Sequence, residues 1–165
     1  MKVGEFVNDN FVSTWQKVGT FTIVNGQKLG GNVACYFCRA DGTVLHAVAG
    51  PVKPDELLAE ARFAVELDKL AQLDGGRSAD KQRKVVADAH LKRVKQEARG
   101  WADPPGLDLP KGRDSFYVHF AQLKPQAQVS ALLTKKALAP LEDFYPLVWE
   151  KILRQTQNAA PVVVR

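Results

Sequence analysis

Apolar positions along the chain change period several times, and each period predicts an element. Val3, Phe6 and Val7 stand at helical spacing, so the chain should enter the fold on the last turns of a helix. Phe11 to Val18 reads as a strand. The Gly-rich stretch from Gly19 to Gly31 holds a short β-branched run, Thr20 to Val24, followed by the turn signal Asn25-Gly26, which leaves a hairpin and a long loop both open. Asn32 to Arg39 and Thr43 to Ala49 are two apolar strands joined by Asp41-Gly42, a dipeptide suited to the positive φ angles of a type I′ turn. If Ala40 faces Thr43, then Phe37 faces His46, Cys38 faces Leu45 and Cys35 faces Val48. Both faces of this hairpin are apolar, so both should be covered.

Longer periods follow. Pro54 opens a helix whose first turn carries Asp55 and Glu56, and Leu57, Leu58, Ala61, Ala64, Val65, Leu67 and Ala71 form a broad apolar stripe on it. Gly75-Gly76 ends that helix, and Ser78 is placed to cap a second one running to Gly100, so the two should form an antiparallel hairpin. Ala87, Leu91, Val94 and Ala98 are its expected apolar stripe, resting on the first helix. Trp101 to Asp114, with Pro104-Pro105-Gly106 and Pro110, predicts an irregular connection. Phe116, Val118 and Phe120 alternate, predicting a strand over Ser115 to Leu123, although a helix also fits. Val129, Leu132 and Leu133 predict a short helix after Pro125. Leu141, Phe144, Tyr145, Val148, Trp149, Ile152 and Leu153 predict an amphipathic helix that Pro146 either kinks or begins. Thr156 to Arg165 reads as a loose tail.

The predicted class is therefore α/β in the broad sense, α+β. A small mixed or antiparallel sheet with a β-hairpin is flanked by a helical hairpin and a C-terminal amphipathic helix. Residues 1–74 carry the sheet, 75–100 the second hairpin helix, and 101–165 a segment packing on the same core, in one domain overall. A chain of 165 residues with 45% hydrophobic content has the side chains for such a core. Neither a long apolar run nor a charged leader before one is present, so no membrane association is expected.

Charge sharpens the picture once it is located. The net charge is +5, and all of the excess lies between Arg77 and Gly100, where eight Lys and Arg face three Asp and Glu. Lys81, Lys84, Lys92, Lys95 and Arg99 fall along one stripe of the second hairpin helix, interrupted by Asp88. A row of positive charge of this kind tracks a phosphate backbone or meets an acidic protein. Most such rows are simply solvated faces, and no aromatic residues are interleaved for base stacking.

Candidate chemistry is sparse. Cys35 and Cys38 spell Cys-x-x-Cys, the weak candidates for a redox pair, but residues three apart on a strand point to opposite faces, where their sulfurs cannot meet. Only two cysteines occur, too few for the disulfide framework of a secreted domain, which points to a reducing compartment, the cytoplasm. His46, His90 and His119 show no metal-ligand spacing, and no metal or cofactor is expected. Asn25 to Asn32 contains Lys28 among glycines but lacks the ending of a phosphate loop and leads into a strand.

The run Asn32-Val33-Ala34-Cys35-Tyr36-Phe37-Cys38-Arg39-Ala40-Asp41-Gly42, with Gly50 and the helix after it, resembles the C-terminal half of a thioredoxin-like domain. The likeness spans Phe11 to about Leu67, roughly a third of the chain. In that family the redox Cys-x-x-Cys opens a helix upstream of the first of these strands, and no such pair stands there. Ala34 stands where the family has its active-site cis-proline. The resemblance thus implies a non-catalytic binding or scaffold domain, with a protein partner or self-association. The alternatives are a thiol-disulfide oxidoreductase with relocated cysteines and a basic-helix binder of nucleic acid or an acidic protein. It also implies a strand between Phe11–Val18 and Asn32–Arg39, to be supplied by Thr20–Val24, by Ser115–Leu123 or by a partner chain.

Overall fold

A computed structural model describes residues 2–18, 21–25, 27–29, 32–98, 120–155, 157 and 163–164. Arg99, the Trp101 to Asp114 connection, Ser115 to His119, most of the C-terminal tail and several glycines of the Gly-rich stretch lie outside these. The described residues form a mixed α+β fold. Helix α1 (Val3–Asn10) enters, and β1 (Thr22–Val24) and β2 (Gln27–Leu29) form a small hairpin. Next come β3 (Ala34–Cys38), β4 (Val44–Ala49), α2 (Pro54–Gly75) and α3 (Ala79–Ala98). After the undescribed connection come α4 (Pro125–Lys135), α5 (Leu141–Leu147), a π-helical turn (Val148–Leu153) and β5 (Val163–Val164).

β3 and β4 pair antiparallel, with Phe37 opposite His46 and Cys35 opposite Val48 as predicted. The turn differs from the expected type I′. Gly42 takes φ +82 while Asp41 stays at negative φ, and the Gly42 N–H bonds the Arg39 carbonyl at 3.0 Å. The loop is thus a β-turn over Arg39–Gly42 closed by a left-handed glycine. The Asp41 carboxylate locks it by accepting from the Thr43 N–H (2.9 Å) and hydroxyl (2.7 Å). The register also shifts, because Cys38 faces Val44 and not Leu45. Leu45 is left without an opposite number, and this bulge brings two successive side chains to one side. Leu45 joins Leu67 and Ala71 of α2 and Val86 of α3, and His46 meets Glu60 and Phe63 of α2.

The hairpin lies between two helical layers. Ala34, Tyr36, Cys38, Val44, Ala47 and Ala49 face α4, α5 and the π turn, where Val129, Leu133, Phe144 and Val148 are fully buried. Cys35, Phe37 and Val48 face α2 with Ala61 and Ala64, and Phe6 and Phe11 pack at the rim. Pro54 starts α2, and the Glu56 carboxylate accepts from the Lys53 N–H at 2.9 Å. The α2–α3 connection is tight: a Cβ on Gly75 would lie 2.7 Å from the backbone nitrogen of Gln82, so only glycine fits. Ser78 caps α3 by accepting from the Lys81 N–H at 3.4 Å.

Several expectations are overturned. Phe11 to Val18 forms no strand; it is irregular, with Val12 and Trp15 exposed. Residues 120–122 are helical, and Leu123 N–H bonds the Phe120 carbonyl, so the strand expected over Ser115–Leu123 is absent at its described end. At Phe120–Gln122, the described end, the chain is helical: a Phe at the end of an alternating run fits a helical turn equally well once its neighbours are Ala and Gln. Thr22–Val24 pairs with β2 and with β5, not with β3. The tail is therefore not loose at Val163–Val164, which lie parallel to β1. Pro146 sits within α5, and the helix widens to a π turn just beyond it, burying the adjacent Val148 and Trp149 together.

The buried face of α3 is rotated from the predicted stripe. Val86, His90 and Val94 are the buried positions, while Ala87 and Leu91 are only half-buried. The reason is that α3 packs against both α2 and α4, so its inner face is centred on a histidine that an apolar template passes over.

Candidate functional site

Cys35 and Cys38 occupy one strand, three residues apart, and their side chains enter different cores. Cys35 lies with Phe37 and Ala61 on the α2 side, and Cys38 lies with Val44 and Phe144 on the α4–α5 side. Both are free. Burial pushes the Cys35 thiol up, and burial, Cys35 and Asp41 together push Cys38 up to about 11. A reactive thiol needs the opposite setting, with a cation or a helix N-terminus holding the thiolate. The two weak candidates are thus not brought together.

The basic stripe is partly assembled. Lys81, Lys84, Lys92 and Lys95 are exposed on α3, and Arg99 lies outside the described residues. Lys84 is engaged by Asp88 at 2.6 Å, and Arg83 beside it by Asp80 at 2.8 Å. Arg93 turns inward, its side chain only 27% exposed. It crosses the Phe63 ring at 4.3 Å and donates to Glu60 Oε1 at 2.6 Å.

That inward arginine belongs to a polar cluster that sequence reasoning missed. His46 Nε2 lies 2.7 Å from Glu60 Oε2, and His90 Nε2 lies 2.9 Å from the Leu45 carbonyl. A carbonyl only accepts, so His90 carries its proton on Nε2, and Nδ1 accepts from the Ser130 hydroxyl at 3.3 Å. His46 likewise donates from Nε2 to the carboxylate. Its Nδ1 is buried with no hydrogen-bond partner among the described residues. The two rings stack with centroids 5.3 Å apart at 22°, and Phe63 stands edge-on to both.

Electrostatics fix the protonation. Burial lowers the pKa of both histidines, that of His90 to about 3, and the neighbouring His46 and Arg93 reinforce the shift at His90. Burial alone would raise Glu60, yet the hydrogen bonds from His46 and Arg93 override it and hold the carboxyl at about 2. At neutral pH the cluster is two neutral imidazoles beside one carboxylate–guanidinium pair. The Ser130–His90 contact resembles a nucleophile and its base, but both residues are fully buried and the second ring nitrogen is committed to backbone.

The cluster acts on the sheet. Outward-pointing groups on β4 include the Val44 N–H, the Leu45 carbonyl and both backbone groups of Ala49. Ala139 takes the first (2.9 Å), His90 the second, and the Gln126 amide the last two (3.3 and 3.4 Å). These contacts cover the β4 edge at its two ends. The only sequence signal for this was a lone histidine amid the apolar positions of α3.

Among the described residues no three His, Cys, Asp or Glu side chains are placed to hold a metal, and no helix is long and apolar enough to cross a membrane. No protein-family model, curated protein or solved structure matches the chain.

Proposed function

We propose that the chain is a non-catalytic binding or scaffold domain, thioredoxin-like in its hairpin and the helix that follows. The observation that carries this reading is the placement of Cys35 and Cys38 in separate cores, with both thiols held protonated by burial. A redox pair must bring its sulfurs to within a bond of each other and keep one of them as thiolate at neutral pH. Neither condition is served here, which speaks against the oxidoreductase alternative. The order β3, turn, β4, Gly50 at φ +84 and α2 supports the thioredoxin-like part.

The test is turnover of a protein disulfide driven by an external dithiol. The full chain should give no rate above that of a Cys35→Ser/Cys38→Ser double variant. A rate that depends on either cysteine overturns the reading.

The basic-helix alternative rests on the exposed lysines of α3. An α-helix rises about 1.5 Å per residue, so Lys81 and Lys95 stand roughly 21 Å apart. Over that length Lys84 is already paired internally, which leaves a thin row for a polyanion. Binding through this face would show as salt-dependent retention on heparin.

A further inference from the structure

α3 is the most polar of the long helices and the least firmly anchored. Of its 20 residues, among those described, Val86 and Val94 alone are fully buried apolar side chains, and the buried position between them is His90. Val85, Ala87, Ala89 and Leu91 are half-buried around them. α4, with 11 residues, buries Ala127, Val129, Ala131 and Leu133. The ties of α3 through Gln82 to Arg39 (2.8 Å), Arg93 to Glu60 (2.6 Å) and Glu97 to Lys124 (3.0 Å) are all partly open to water. Its fully buried polar contacts are those of His90, to the Leu45 carbonyl of β4 and the Ser130 hydroxyl of α4. The joint to α2 is a Gly-Gly pair, Gly75-Gly76, with backbone freedom to turn.

A proton added to His90 finds no counter-charge. The groups facing its ring come from each element around it: His46 from β4, Glu60 and Phe63 from α2, Ser130 from α4 and Arg93 from α3 itself. Nε2 is committed to a carbonyl and Nδ1 to a hydroxyl, both neutral. The one carboxylate, Glu60, has one oxygen on His46 and the other on Arg93. Arg93 is itself a cation, and the His46 ring is stacked 5.3 Å away. A charged imidazole is thus tolerated only where water reaches it, which requires α3 to move away. The rest of the core does not need α3: Val44, Ala47, Val129, Leu133, Phe144 and Val148 pack together without it, and so do Phe37, Val48, Ala61 and Ala64. We propose that His90 is a proton-operated latch: on taking up a proton it releases α3 from β4 and α4, while the β3–β4 hairpin, α2 and the C-terminal helices stay packed. Opening uncovers Leu45, Phe63 and the Leu67–Ala71 side of α2, an apolar surface presented only in acid.

The latch goes beyond the binding-domain reading and stands independently of it. It is tested on the full chain by amide hydrogen exchange, read residue by residue from pH 6.5 to 4.5 and corrected for the intrinsic rate. His90 is held at about 3 when docked and returns to 6.5 on a solvated helix, so protons favour the open form. The opening equilibrium should therefore rise by about 50-fold over that range. The Val86, His90 and Val94 amides should lose protection by that factor. At pH 4.5 they should be at least about tenfold less protected than the amides of Val48, Leu133 and Trp149, which open only with the whole fold. His90→Gln keeps a donor for the Leu45 carbonyl and takes no proton, so it should remove most of this response. Should that variant fail to fold, the His90 ring resonances of the parent decide: they should stay those of a neutral ring for as long as the α3 amides are protected. Four outcomes overturn the proposal. The α3 amides keep their protection at pH 4.5, or both sets of amides open equally there, in one global transition. Alternatively, a folded His90→Gln variant opens as steeply as the parent, or the His90 ring charges while α3 is still protected.

Discussion

His90 reaches across from α3 to the Leu45 carbonyl, 2.9 Å away, and so ties the longest helical hairpin of the molecule to the central strand at its bulge. Leu45 is the residue that the register shift leaves unpaired, so its carbonyl needs a donor from elsewhere. Replacing His90 with Leu should strand that carbonyl and the Ser130 hydroxyl in the core. A loss of about 2–4 kcal/mol in urea unfolding is expected from two buried unpaired groups. His90→Gln, which keeps a donor at similar reach, should recover part of it.

Acid should destabilise the fold in two stages. His90 falls to about 3 in the folded state from 6.5, and His46 is lowered too, so the unfolded chain binds more protons as soon as pH drops below about 6.5. Stability is therefore lost progressively from there toward pH 3. Glu60, held at about 2 from 4.5, adds to the loss below about pH 4.5, because its favourable pairing disappears as the carboxyl protonates. Urea midpoints measured from pH 8 to pH 4 should fall throughout the acid limb, and the His90→Gln variant should show a shallower slope between pH 6.5 and 4.5. A flat profile across that window would contradict the burial of neutral histidines.

Glu60→Gln should cost about 2–3 kcal/mol at pH 7. The change leaves Arg93 over the Phe63 ring without its carboxylate, and both partners are largely but not wholly shielded from solvent. The comparison variant Asp80→Asn, whose ion pair with Arg83 is open to water, should change stability very little.

The C-terminal helices should be indispensable. Phe144 is fully buried against the hairpin and Trp149 nearly so. Truncating either to Ala should cost about 3–5 kcal/mol, read by thermal or urea unfolding. A variant within about 1 kcal/mol of the parent would show that this segment does not carry the core.

Much of this architecture is legible in the sequence because it is written in local signals. Gly75-Gly76 and Ser78 mark the helical hairpin, Pro54 marks the start of α2, and the apolar period from Leu141 onward marks the terminal helical segment. Phe37 opposite His46 follows from the position of the turn alone. What escapes depends on tertiary context. A single unpaired residue, Leu45, shifts the register after Phe37, and nothing in the chain's alternation announces it. His46 and His90 read as unrelated, since 44 positions separate them and only the folded packing of β4 against α3 stacks their rings. Arg93 counts as surface charge in any one-dimensional tally, yet its partner Glu60 lies on another helix. The strand expected at Phe11–Val18 rests on apolar content without a neighbour to pair with, and a strand needs one.

The cysteines carry the central claim, and their reaction rates with a soluble disulfide reagent at pH 7 test it most directly. With both thiols partly buried and raised in pKa, Cys35 and Cys38 should react far more slowly in the folded chain than in denaturant, and no bond should form between them on mild oxidation. Serine at either position should cost stability, roughly 1–3 kcal/mol, and nothing else. Fast labelling of one thiol in the folded protein, or an intramolecular Cys35–Cys38 disulfide, would contradict the account of a domain that binds without thiol chemistry.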